Sequence, residues 1–260
     1  MGRIIQQDRS IIVACDVGFE KYVDILKDTG YFQGIGAYKI PARSGRKGWE
    51  TWVEAGKKYT NKPLIFDGQK WGNDIPDTGP GIMSDIKESG FDAVILFPFA
   101  GPVTQYVWTQ ASKQLGLELI NGAKMTHPRH VEGDYSSPKK GPDYSAIFRE
   151  LGFENDITGY LRATAPEDMT RLAARLGITN YVAPGNQPAQ TAAMKELLEA
   201  EGIEPVFYSP GFLDVAQGGK ISDAGKAAGR SWHAIVGTGI YGSSDYRRAA
   251  EDLSREILSS

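Results

Sequence analysis

Apolar positions along the chain fall in short blocks separated by stretches of helical spacing. Ile11-Ile12-Val13-Ala14-Cys15 is a continuous apolar run closed by Asp16, and Phe19, Tyr22, Val23 and Leu26 follow at helical intervals. This predicts a strand, a turn carrying an acid, and a helix. The unit recurs with residues 34–40 ahead of the face Trp49, Trp52, Val53 and Gly56, and with residues 64–66 ahead of Ile82 and Ile86, stopped at Gly90. Residues 91–97 and 103–115 repeat it, with Gly116 as helix stop. A fifth strand is expected at 117–123. Residues 125–156, rich in Pro, Gly, Ser and Lys, are expected as an irregular insertion in a single domain covering residues 1–260. Strands at 178–183, 205–208 and 233–236, with helices at 169–176, 189–201 and 246–258, complete the pattern. Eight strand-then-helix units in about 250 residues are the period of a (β/α)8 TIM barrel, an α/β fold.

Composition removes several functions from consideration. With 41% hydrophobic residues in 260, the chain can fill one large core, and a net charge of -3 provides no broad basic face for nucleic acid. No window approaches the eighteen or more apolar residues of a membrane span, and the first residues lack the apolar core of a signal peptide, so a cytoplasmic setting is expected. The lone Cys15 excludes an intramolecular disulfide. Together with three histidines it leaves little to hold zinc or iron, and no dense carboxylate cluster suggests magnesium; no cofactor or metal is expected.

In barrels, chemistry gathers at the C-terminal ends of the strands, and the unusual polar residues fall there: Asp16, Lys39, Asp67, Thr126, Gln217 and Thr238. Lys70 and Asp74 follow in the loop after the third strand. Asp16, Lys39, Asp67 and Lys70 would place two acids and two bases in one mouth, which is costly unless they pair or serve chemistry. The array suits a reaction in which a carboxylate leaves and a carbanion is protonated. It suits equally an ion-pair network that knits the mouth together. Ser209-Pro210-Gly211, Gln217-Gly218-Gly219 and Gly237-Thr238-Gly239 put glycine-rich turns at the last two strands, the usual phosphate-binding place in barrels. His127 and His233 are expected to be structural. Trp49, Trp52 and Trp108 are expected to pack, Trp71 to shield the site from water, and Met194 and Leu197 to face the core.

With these residues assembled, the chain resembles the orotidine 5'-phosphate decarboxylases over nearly its whole length. That family carries a strand ending Asp-x-Lys-x-x-Asp-Ile-Pro-x-Thr. Here the stretch runs Asp67-Gly68-Gln69-Lys70-Trp71-Gly72-Asn73-Asp74-Ile75-Pro76-Asp77-Thr78, with one extra residue on each side of Lys70. Met125-Thr126-His127-Pro128 matches the family's Met-Ser-His-Pro, and Val236-Gly237-Thr238-Gly239-Ile240-Tyr241 matches its Val-Gly-Arg-x-Ile-Tyr. The resemblance implies cofactor-free conversion of orotidine monophosphate to uridine monophosphate and carbon dioxide. It implies that Asp67 faces the leaving carboxylate, that Lys70 protonates the carbanion, that Lys39 holds the ribose and the acids, and that Asp16 binds ribose. Thr126 would bind the base, and Gln217, Gly237 and Thr238 the phosphate. Ile75 would lie against the substrate, and Asp74 and Thr78 would reach into the site of a homodimeric partner.

Thr238 stands where the family has an arginine that grips the phosphate, so Arg43, Arg46 or Lys220, or else amides and hydroxyls, would take over that task. Two other functions fit the same residues. One is another phosphorylated-substrate lyase or decarboxylase of the superfamily, such enzymes usually being magnesium-dependent. The other is a non-catalytic nucleotide-binding barrel.

Overall fold

Eight parallel strands close on themselves in chain order: β1 (Arg9–Ala14), β2 (Ile35–Pro41), β3 (Leu64–Gly68), β4 (Ala93–Leu96), β5 (Glu118–Asn121), β6 (Asn180–Val182), β7 (Val206–Ser209) and β8 (Trp232–Val236). β8 pairs back onto β1, with Val13 opposite Val236. The computed structural model describes residues 2–69, 71–136, 142–153, 157–212 and 220–259. Among them the barrel is wrapped by α1 (Phe19–Thr29), α2 (Trp49–Tyr59), α3 (Gly79–Glu88), α4 (Pro102–Gln114), α5 (Tyr144–Glu150), α6 (Ala165–Arg175), α7 (Pro188–Ala200), α8 (Ile221–Ala228), α9 (Thr238–Tyr241) and α10 (Tyr246–Ser259). None of the described helices is long and apolar enough to cross a membrane.

The strand and helix positions follow the apolar pattern, with three additions. α8 escapes an apolar count because the residues it buries include Ala224, Gly225 and Ala228, too small to mark a stripe. α9 is only four residues long. α5 lies inside the stretch expected to be irregular. Its start is fixed by Asp143, whose side chain accepts from the backbone N–H groups of Ser145 and Ala146, satisfying donors that a first turn leaves open.

Alternation along each strand separates two apolar clusters. Ile12, Ala14, Ala37, Ile65, Ala93, Ile95, Ile120 and Ile235 fill the barrel interior. Ile11, Val13, Cys15, Tyr38, Ile40, Leu64 and Phe66 face the helices. Trp52 and Trp108 are buried in this outer layer as expected, whereas Met194 and Leu197 are only partly buried against it. The N-terminal segment closes the far end of the barrel: a Cβ on Gly36 would come within 2.7 Å of Ile5 Cγ2, and Gly2 N–H donates to Glu118 Oε1 at 2.9 Å.

At that far end His233 is fully buried, 2.8 Å from Ser10 Oγ through Nδ1, with its ring against Tyr208. Burial, helped by the nearby Arg3, pushes its pKa down from 6.5 to about 3. The unfolded chain therefore binds a proton there that the folded chain refuses. Stability carried by neutral His233 is complete above pH 6.5 and is lost as the pH falls toward 3. Urea midpoints followed by tryptophan fluorescence should drop through this window, and His233→Gln should flatten that part of the profile.

Candidate active site

The parity that puts Ile12 and Ala14, Ala37, and Ile65 inside the barrel continues, two residues on, to Asp16, Lys39 and Asp67. Register then sets their heights. Ala14 pairs with Lys39, Lys39 with Ile65, and Pro41 with Asp67, so both acids sit one inward-facing layer above the lysine's own backbone. The long Lys39 side chain has to rise between them to find a partner. Its ammonium stands 3.5 Å from Asp16 Oδ2 and donates to Asp67 Oδ2.

The Lys39 side chain is 6% exposed. Burial alone would lower its pKa, but Asp67 and then Asp16 outweigh it, and the group is held above the ordinary lysine value. Asp67 is not fully satisfied in return. Among the described residues its Oδ1, buried, has no hydrogen-bond partner. A buried carboxylate oxygen without a donor among the described residues, beside a cation already engaged, is a feature that a purely structural ion pair would be expected to avoid.

Two cavities share this floor. One, of about 380 Å³, runs from Asp16, Lys39, Asp67 and Gln69 to Pro210, Phe212, Gly237, Thr238 and Tyr241. The other, of about 430 Å³, is bounded by Asp16, Pro41, Arg43, Asp67, Gln69 and Trp71. Arg43 Nη2 donates to the Asp16 carbonyl at 2.6 Å, tying the turn after β2 to the end of β1.

The loop after Asp67 is anchored on both sides. Trp71 N–H donates to the Gly68 carbonyl at 2.8 Å. The Trp71 ring packs edge-on to Phe66 at 5.3 Å and tilted to Trp49 at 5.5 Å. A Cβ on Gly68 would come within 2.7 Å of the Ile95 carbonyl oxygen, and one on Gly72 within 2.9 Å of Leu96 Cδ1. Only glycine backbone can lie this close to β4, and the Gly72 φ of +87° favours glycine as well.

Asp74, Ile75 and Thr78 are not brought into these cavities. Asp74 Oδ1 accepts from Ile75 N–H at 2.7 Å, and the Thr78 hydroxyl donates to the Ile75 carbonyl at 2.9 Å. Trp108 Nε1–H also reaches that carbonyl, at 3.4 Å. Asp74 borders a third cavity with Trp71, Asn73, Ile82 and Trp108, and Ile75 is 60% exposed. Thr126, just beyond β5, is exposed and lines neither charged cavity, although Met125 beside it packs on the interior core. Gly237 and Thr238 do line the 380 Å³ cavity. Lys70, Gln217, Gly218 and Gly219 lie outside the described residues, as does the Arg46 side chain.

His127 is exposed, its Nδ1 3.0 Å from the Pro128 carbonyl. Its ring meets His130 at 5.0 Å, and neither histidine lines the two cavities at Asp67. Among the described residues no three His, Cys, Asp or Glu side chains converge as a metal set. Three cavity residues carry no role in the sequence pattern: Gln69 and Tyr241, which stand inside the matched motifs, and Phe212, which stands outside them. The i, i+3 spacing of Thr238 and Tyr241 was the available signal for the tyrosine, since it puts both on one side of a short turn.

No protein-family model matches the chain. It is 31% identical over 202 residues to the orotidine 5'-phosphate decarboxylase of Thermococcus kodakarensis, covering 78% of this chain and 75% of that one. To the Methanosarcina barkeri enzyme of the same name it is 29% identical over 195 residues, covering 75% and 72%. In three dimensions it is similar to the Methanocaldococcus jannaschii orotidine 5'-monophosphate decarboxylase complexed with the inhibitor BMP, with a TM-score of 0.73 at 22% identity over 96% of this chain and 98% of that one.

Proposed function

Because this chain belongs to the orotidine 5'-phosphate decarboxylase family, we propose that its barrel mouth converts orotidine 5'-monophosphate to uridine 5'-monophosphate and carbon dioxide, in pyrimidine biosynthesis. The observation that carries this reading is the buried Asp67 carboxylate, with Oδ2 on Lys39 and Oδ1 unpartnered among the described residues at the floor of the cavity. A substrate carboxylate set against Oδ1 is repelled in the ground state. The repulsion disappears as carbon dioxide departs, so the interaction favours the transition state over the bound substrate.

The C6–carboxylate bond breaks with its electron pair left on C6. The Lys70 ammonium stabilises that pair and then gives it a proton, and solvent restores the lysine. Asp16 and Lys39 hold the ribose, Thr126 the base, and Gln217, Gly237 and Thr238 the phosphate. No cofactor takes part in this scheme. A homodimer completes it, with Asp74 and Thr78 entering the partner's site and Ile75 against the substrate. Their position outside the two cavities that reach Asp67, next to exposed Ile75, Val103 and Tyr106, supports this arrangement. The enzyme acts in the cytoplasm.

The direct test is loss of the ultraviolet absorbance of orotidine monophosphate, unaffected by EDTA. No turnover at high enzyme concentration would overturn the reading, and EDTA inhibition would favour a magnesium-dependent relative. The shared site has its own test. Asp74→Ala and Lys70→Ala subunits, each weakly active alone, should regain about a quarter of wild-type activity when unfolded and reassembled together, because half the dimers are mixed and each mixed dimer has one intact site. Activity that stays at the level of the separate variants would place both residues in one subunit's site.

A further inference from the structure

The 380 Å³ cavity is lined by two chemically different sets of residues. One is the ion-paired set Asp16, Lys39 and Asp67. The other is Pro210, Phe212, Gly237, Thr238 and Tyr241. In the second set the Thr238 hydroxyl donates to the Tyr241 hydroxyl oxygen at 3.0 Å, which leaves the tyrosine's own O–H to donate elsewhere. Gly237 makes room for the ring, since a Cβ there would come within 3.1 Å of Tyr241 Cε1. Lys21 on α1 brings its ammonium 5.8 Å from the centroid of the same ring.

A phenolic donor in the cavity lining and a flexible cation beside its ring, on elements that follow the adjacent strands β1 and β8, make a place for an anion. We propose that Lys21 and Tyr241 recognise the phosphate monoester of the nucleotide, Lys21 supplying the positive charge and Tyr241 the oriented O–H. This rests on the nucleotide reading above and names the groups that make the chain prefer a phosphorylated substrate. Lys21 is exposed and sits on a helix whose buried residues are Tyr22, Ile25, Leu26 and Thr29, so replacing it leaves the fold intact. The tyrosine is held by Thr238 and is the ordered partner; the lysine closes onto the anion.

Calorimetric titration with uridine monophosphate and with uridine tests the assignment without requiring turnover. Wild type should prefer the phosphorylated ligand. Lys21→Ala and Tyr241→Phe should each reduce that preference by about tenfold, as expected for loss of one charge-assisted hydrogen bond, while binding uridine as wild type does. Lys27→Ala, on the same helix but paired with Asp24 at 3.1 Å, should retain the full preference. Equal weakening toward both ligands, an unchanged preference in Lys21→Ala, or no preference in wild type would overturn the proposal. If wild type shows the preference and the variants lose it but orotidine monophosphate is not turned over, the decarboxylase reading fails and the phosphate assignment stands.

Discussion

Lys70→Ala is expected to lower kcat for orotidine monophosphate by about 10⁴-fold while KM changes by less than about threefold, since general acid catalysis and stabilisation of a developing anion each supply roughly 10²–10⁴. The lysine acts on charge that exists only after the carboxylate begins to leave, so its loss should fall on the chemical step. Lys70→Arg separates chemistry from architecture. Arginine restores a positive charge but does not release a proton at neutral pH, so it should recover less than about a tenth of the lost rate. If Lys70 merely knitted the mouth together, arginine would restore activity, and alanine would lower stability instead of kcat. Absorbance assays at saturating substrate and urea titrations on the same preparations decide between the two.

Lys39→Ala is expected to cost about 3 kcal/mol of stability at neutral pH, the lower part of the range for breaking a buried ion pair by removing one partner, and to abolish most activity. Asp67, with 13% of its side chain exposed, would lose its only cation among the described residues. Asp16, 42% exposed, can turn to solvent, which keeps the loss at the lower end. Because Lys39 is held above the ordinary lysine pKa of 10.5, its contribution to stability is complete below that value and is lost as the pH rises through the folded-state value. Urea midpoints for wild type should therefore decline in strongly alkaline solution. Lys39→Met, which keeps most of the side-chain volume without the charge, should lose this alkaline decline.

The barrel was legible because its strands are short, mostly apolar runs closed by a charge or a turn. Ile11 to Cys15, ending at Asp16, shows both its extent and its functional end. The meeting of Asp16, Lys39 and Asp67 could be anticipated from position at strand ends, whereas the layer offset that sends the lysine upward between two acids depends on interstrand register. Sequence proximity gave no guide to Asp74. It stands seven positions after Asp67, yet the short turn at Pro76–Thr78 and the bonds from Thr104 and Trp108 hold its segment outward. Tyr241 closes a matched motif, but its place in the cavity depends on a single short helix, α9, that turns it back over Gly237.

The hydrogen bond that links Gly68 to Trp71 bears on how such chains can be found. Where a loop is riveted by backbone contacts at its two ends, residues can be gained between the rivets while the acid at its root stays where the barrel put it. Distance along the chain then drifts freely under selection for distance in space. A search that scores fixed intervals between acid and lysine would pass over sequences of this kind, while one that scores two glycines and an aromatic flanking the variable position would retain them.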